Sequence, residues 1–227
     1  MAIARVQSTT AMSNSASSLA VTFSSTPTAG NIIVIVAGTN NSPMYIDNSS
    51  VASWVQVFRT GASGTYMTIF IGKVFTGITV TSTITMVGTS PIAAVAAEYS
   101  GVTNALDRGS IATNTGTSAA SGATGTTSVA NELWIGGIVH RNTNGATFSS
   151  PTNSFSIVGQ TNTTSGTVND RSACLLERIV SSTGTADAGA TISASGVWIA
   201  QALTFPELTS GGSGLIGRLV DSNNLVA

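Results

Sequence analysis

The chain has 227 residues, of which 42% are hydrophobic and only 7% charged, and its formal net charge is -1. Its eight Lys and Arg residues are scattered, so the basic stripe that phosphate binding requires is missing and nucleic acid is not an expected partner. No apolar run approaches the roughly 20 residues of a membrane-spanning helix, and the single cysteine, Cys174, excludes an internal disulfide.

Short apolar and β-branched segments alternate with Gly, Asn, Ser and Pro clusters every ~8–15 residues, which is typical of antiparallel sheets. In the first half, strands are predicted at 4–8, 18–24, 31–38, 54–60, 66–74, 82–87 and 91–99. In the second half, they are predicted at 111–114, 132–139, 155–161, 173–179, 190–195 and 197–205. No long window has uninterrupted helical spacing, so no long helix is expected.

About a dozen strands predict an all-β fold, a two-sheet antiparallel β-sandwich of jelly-roll type. The nearly continuous apolar runs 32–36 and 92–97 indicate central strands that are covered on both faces. Segments 28–38 and 128–138 each consist of a turn feeding an apolar strand. This echo fits a sandwich with similar halves, although two short segments do not establish an internal repeat.

The composition changes near the C-terminus, where residues 209–214 have the Gly/Ser content of a linker. We therefore predict a sandwich domain at 1–207 and an extended arm at 208–227. The arm is expected to lie against another subunit, because its apolar patch comes too late to join the core. The predicted contacts in the arm are Leu215, Ile216, Arg218, Leu219 and Val220.

Few residues in the sequence could support catalysis. The carboxylates that could in principle supply an acid–base pair are Glu98, Asp107, Glu132, Asp170, Glu177 and Asp187. Their turn and strand contexts favour structural roles, for example pairing with an arginine such as Arg178. The single histidine, His140, excludes a multi-histidine metal site and is interpreted as a surface-loop residue, and Cys174 is interpreted as inert core. We predict no catalytic, cofactor-binding or metal-binding residue, and no enzyme activity.

Aromatic residues are the remaining candidates for a binding site. Trp134 and Trp198 lie within apolar strands and are expected in the core. Tyr45 falls in the polar segment 40–48, which is predicted to be a long loop. An exposed aromatic there would contact either a ligand or a neighbouring subunit, and the sequence leaves both possibilities open.

Several segments, taken in their order along residues 3–205, resemble a known module. They are Thr26-Pro-Thr-Ala-Gly-Asn-Ile-Ile-Val, Glu98-Tyr-Ser-Gly-Val, Leu106-Asp107, Ala130-Asn-Glu-Leu, Glu177-Arg-Ile-Val-Ser-Ser-Thr-Gly and Val197-Trp-Ile-Ala-Gln-Ala-Leu. Together they are similar to a jelly-roll, lectin-like β-sandwich domain of bacteriophage virion proteins and bacterial surface proteins. The resemblance implies a fold and a surface location but no catalytic residues.

This resemblance favours a capsid decoration or cement protein on the outer surface of a phage head, although fold alone does not fix function. No secretory leader is visible, so we expect synthesis in the host cytoplasm and assembly into the virion. The expected partners are the major capsid protein or other virion subunits and further copies of the chain, without cofactor, nucleic acid or membrane. The alternatives are a tail or fibre domain that binds host glycans, and a cell-surface or filament subunit joined by strand addition.

Overall fold

The computed structural model describes residues 2–40, 44–47, 51–75 and 80–209. These parts of the chain contain twelve β-strands and no helix, so the all-β prediction is confirmed. The strands are β1 (Ala4–Thr22), β2 (Ile32–Thr39), β3 (Met44–Asp47), β4 (Val51–Ala62), β5 (Thr65–Val74), β6 (Thr81–Ser100), β7 (Arg108–Ala120), β8 (Asn131–Asn142), β9 (Phe148–Ser149), β10 (Ser156–Asn162), β11 (Asp170–Ser181) and β12 (Gly189–Pro206).

The strands form two antiparallel sheets, and each half of the chain builds one of them. The first sheet has the order β1-β6-β2-β5-β4, and β3 pairs with β6. The second has the order β10-β11-β8-β12-β7, and β9 pairs with β12. The predicted two-sheet sandwich is confirmed. The predicted jelly-roll connection is not confirmed, because each half of the chain stays within one sheet.

The two sheets repeat one architecture. Adding six to each strand number of the first sheet gives β7-β12-β8-β11-β10, with β9 on β12, which is the second sheet. The similar segments 28–38 and 128–138 contain β2 and β8, which are the central strands of their sheets. The two segments that are similar in sequence therefore occupy equivalent positions in two sheets with the same strand order.

The main core lies between the sheets. Val34 and Val36 of β2 pack there with Leu133, Ile135 and Val139 of β8, together with apolar residues of the flanking strands. Because side chains alternate between the faces of a strand, the other apolar residues of β2 and β8 point outward.

Those outward residues are also covered, because the long strands fold over the sheets. The far ends of β1 and β6, with β3, place Leu19 and Ile84 against Ile33 and Ile35 of β2. The far ends of β7 and β12, with β9, cover the outer face of the second sheet in the same way. Every residue of β2 is buried as a result, as the continuous apolar run predicted.

Polar links tie one sheet to the other at their margins. Ser63 and Gly64 form a two-residue turn between β4 and β5, with φ angles of 46° and 71° that are typical of a type I′ hairpin. The carbonyl of Gly64 accepts a hydrogen bond of 2.7 Å from Nη2 of the buried Arg171 in β11. Elsewhere Arg5 of β1 forms an ion pair of 3.1 Å with Glu177 of β11.

Candidate functional site

Glu98 is a fully buried carboxylate near the end of β6. It accepts hydrogen bonds from the Thr28 amide at 2.7 Å, from Nδ2 of Asn31 at 2.5 Å and from Nε2 of Gln7 at 2.7 Å. These donors lie in β1 and in the loop that leads into β2. Glu98 therefore holds that loop against the sheet, and its oxygens are occupied by structural partners.

Asp107 performs the corresponding task in the second half. Its carboxylate accepts the Ser128 amide at 2.6 Å and the Ser128 hydroxyl at 2.8 Å, and Arg108 approaches it to 3.0 Å. Burial alone would raise the pKa of Asp107, but the hydrogen bonds from Ser128 outweigh it and lower that pKa. The ionised carboxylate fixes the loop that leads into β8.

Asp107 and Glu132 are the two candidate acids that the fold brings into contact. Burial raises the pKa of Glu132, and the hydrogen bond and charge of Asp107 raise it further. Two neighbouring carboxyl groups with divergent pKa values are an arrangement that acid–base catalysts use. Here Glu132 is fully buried and also accepts a hydrogen bond of 2.9 Å from Nε1 of Trp134, whereas the half-buried Asp107 is bound by Ser128 and Arg108.

The other candidate acids also have structural partners. Asp170 accepts hydrogen bonds from Thr163, Ser165 and Gly166, which outweigh the effect of burial and lower its pKa. Glu177 pairs with Arg5 rather than with Arg178, so the suggested partner was wrong. Arg178 instead lies over the ring of Trp134, 5.0 Å from its centroid.

The residues considered as nucleophile or base are both buried. The prediction that His140 occupies a surface loop is wrong: β8 continues through it, and Gly196 of β12 packs on its ring. Burial, followed by the nearby charge of Arg171, lowers the pKa of His140 to about 4. Cys174 is buried as predicted, and burial raises the pKa of its thiol to about 12.

The aromatic candidates do not form a shared platform. Trp134 and Trp198 are buried, which confirms their assignment to the core. Tyr45 lies in strand β3 opposite Thr85, so its assignment to a loop was wrong, but its side chain is 54% exposed. Short alternating segments such as 44–47 resemble polar loops in sequence, because only one or two residues face the core.

The described surface has three adjoining grooves at one end of the sandwich, which we call the basal end. The central groove, of about 300 Å³, is lined by Ala2, Ile3, Asn131, Ile179, Val180, Ser181 and Glu207. A groove of about 370 Å³ shares Asn131 and Glu207 with it, and a more polar one of about 360 Å³ shares residues 179–181. Tyr45 lines none of these three grooves.

Both ends of the described chain meet at the basal end. Ala2 and Ile3 line the central groove, and Thr209 lines its neighbour, next to Leu208, whose amide bonds the Gly101 carbonyl at 2.7 Å. Three apolar side chains are exposed beside the grooves: Val129 (40%), Ile179 (48%) and Leu208 (40%). The predicted contacts Leu215, Ile216, Arg218, Leu219 and Val220 lie outside the described residues.

No family model, curated protein or solved structure matches this chain. Within the described ranges, no group of three or more His, Cys, Asp or Glu side chains is placed to hold a metal ion. The same ranges contain no helix of the length and apolarity needed to cross a membrane. The adjoining grooves and the exposed apolar side chains beside them make the basal end a candidate functional site.

Proposed function

We propose that the chain is a structural virion protein, a capsid decoration or cement protein on the outer surface of a phage head, attached through its basal end. The observation that carries this proposal is the meeting of both described chain ends beside grooves rimmed by Val129, Ile179 and Leu208. An apolar surface of this kind favours contact with another protein.

The sequence beyond the basal end fits the same role. Five residues, 210–214, separate Thr209 from Leu215 and three of them are glycines, so the distance between these two residues is at most about 20 Å. The apolar residues at 215–220 would then reach the subunit on which the basal end rests. Together the grooves and the arm would form one attachment surface, and the remaining sandwich would point outward from the head.

The environments of the residues considered for catalysis favour an attachment role over a catalytic role. Glu132, Cys174 and His140 are buried, the half-buried Asp107 is bound by Ser128 and Arg108, and none of these four lines one of the three grooves. A glycan-binding domain would need exposed aromatics beside polar groups in one concavity. The exposed Tyr45 is outside the three grooves, so we favour the decoration protein over the glycan-binding alternative.

Co-sedimentation with purified phage heads that lack the protein tests this function. Ile179→Ser should weaken binding by about tenfold or more, because burying one large apolar side chain contributes ~1.5–3 kcal/mol. Val168→Ser is the matched control, since Val168 is 64% exposed in the loop before β11, at the opposite end of the second sheet. It should bind like the wild type.

A truncation after Thr209 separates the arm from the grooves in the same assay. It should keep the far-ultraviolet spectrum of the sandwich and lose most of the binding to heads. Full binding by both the truncated chain and Ile179→Ser would refute attachment through the basal end. Absence of binding by the wild type would refute the decoration function itself.

A further inference from the structure

Strand β7 is a long sheet edge without the usual protection against pairing. Within the described part of the chain it pairs only with β12. Residues 109–120 contain no charged residue and no proline. Natural edge strands are usually short, bulged, covered or charged, because an open edge presents unpaired backbone groups to any strand that approaches.

The other three edges are better protected. Asn14 of β1 accepts the amide of Thr164, and Gly159 of β10 lies against Thr10, so β1 and β10 cover each other. The fourth edge, β4, carries the exposed Arg59. Sheet pairing with another chain is therefore expected first at β7.

We propose that β7 pairs antiparallel with β7 of a second copy of this chain, around a two-fold axis at Ala112. The register of β7 against β12 is unbroken from Arg108 to Gly116, which leaves nine residues of continuous edge. A two-fold axis at the middle residue places every residue of this stretch opposite a residue of the same stretch.

The sequence of the stretch is complementary to itself in that register. Ile111 would lie opposite Thr113 of the other copy, and Ser110 opposite Asn114. Pairs of β-branched residues stabilise neighbouring strands, and no like charges meet. Ile111 is 40% exposed in the single chain, so the pairing would also bury an apolar side chain. This interface lies on the side of the sandwich and is independent of the proposed attachment to heads.

The experiment uses the purified full chain without heads. Light scattering should give a dimer for the wild type and a monomer for Thr113→Lys, because the new charge would face Ile111 of the second copy. Ser17→Lys is the matched control: it adds the same charge at an exposed position of β1, the equivalent edge of the first sheet, and should remain a dimer.

A cysteine at the axis tests the register directly. Ala112→Cys should form a disulfide-linked dimer on mild oxidation, since opposed residues in antiparallel strands are ~4.5–5.5 Å apart at Cα. Ser17→Cys should not. A monomeric wild type, or a Thr113→Lys variant that folds and stays dimeric, would overturn the proposal. If the wild type is a monomer and Thr113→Lys binds heads less tightly than the wild type, β7 contacts a different protein. That result would also overturn the proposal.

Discussion

The carboxylates inside this sandwich serve the loops between its strands. Glu98 bonds the Thr28 amide, Asp107 the Ser128 amide, and Asp170 the amides of Ser165 and Gly166. Backbone amides favour the charged form of a carboxylate, and at Asp107 and Asp170 the hydrogen bonds outweigh the effect of burial and lower the pKa. A chain with few ionisable groups thus uses three of its carboxylates to bind the backbone donors of its loops.

His140 should make the stability of the protein depend on pH. Its pKa is about 4 in the folded chain and ~6.5 in the unfolded chain, so protons bind preferentially to the unfolded state. The neutral His140 therefore contributes to the free energy of unfolding in full above pH ~6.5. This contribution, about 3 kcal/mol in total, is lost as the pH falls towards 4. Urea unfolding should show this loss, and His140→Gln should show a flatter profile over the same pH range. Parallel profiles for the two proteins would contradict the prediction.

Glu132 should make the stability of the protein depend on pH in the opposite direction to His140. Its raised pKa means that the folded state holds the proton more tightly, so its contribution is complete below the unfolded pKa and is lost as pH rises through the folded pKa. Glutamine can donate to Asp107 and still accept from Nε1 of Trp134. Glu132→Gln should therefore gain stability relative to the wild type between pH 4 and 7 in chemical denaturation. Glu132→Ala, which removes both interactions, should be less stable throughout.

The positions of some residues in the fold could be predicted from their apolar neighbours in the sequence, and those of others could not. The runs around Trp134, Trp198 and Cys174 placed these residues in the core correctly. His140 was misplaced because the end of a strand resembles a loop in sequence, and the residue that covers it, Gly196, lies 56 positions away. The role of Glu98 was equally hidden, since its partner Gln7 is 91 positions distant.

The strands are fewer and longer than the sequence pattern indicates. Predicted pairs of strands at 4–8 and 18–24, at 82–87 and 91–99, and at 190–195 and 197–205 are continuous in β1, β6 and β12. Each predicted break lies at or near a shift in register, where the strand leaves its sheet to cover the outer face. Strands β3 and β9 were missed because two to four residues carry too little periodicity.

The packing between the two sheets at Gly38 and Gly137 should be sensitive to a single added methyl group. A Cβ on Gly38 would lie 2.5 Å from Cγ1 of Val139, and one on Gly137 would lie 2.7 Å from Cδ1 of Ile69. Gly38→Ala should therefore cost about 1–3 kcal/mol through overpacking, as thermal or urea unfolding would measure. Gly125→Ala is the control, because its added carbon would make only ordinary contact with Arg108, at 3.6 Å.

A double variant identifies the cause of that loss. Val139→Ala makes room for the added methyl group, so Gly38→Ala combined with Val139→Ala should cost less than the sum of the single changes. Simple additivity would mean that the backbone of β2, rather than the contact between sheets, is responsible.

At the scale of the whole molecule, the repeated sheet order could not be read from the sequence. A sheet needs only apolar residues at the correct period, so two halves with little sequence similarity form the same arrangement. The basal end was hidden for a related reason: Ile3, Asn131, Ile179 and Glu207 are far apart in the chain and meet only because four strands begin or end there. The change in composition at residues 209–214, which predicted the end of the sandwich at Glu207, was a local signal of this region.

The final prediction is that neither half of the chain is stable alone. Separated halves would expose the inner faces that carry Val36 and Ile135, and would lose the link between Arg171 and Gly64. A sheet with such an exposed face tends to aggregate or unfold. Fragments 1–102 and 103–227, refolded together, should form a one-to-one complex with the spectrum and cooperative unfolding of the intact protein. Fragments divided within β8, between Gly136 and Gly137, should not, because that cut interrupts a central strand. A half that unfolds cooperatively as a soluble monomer would show that the core between the sheets is dispensable.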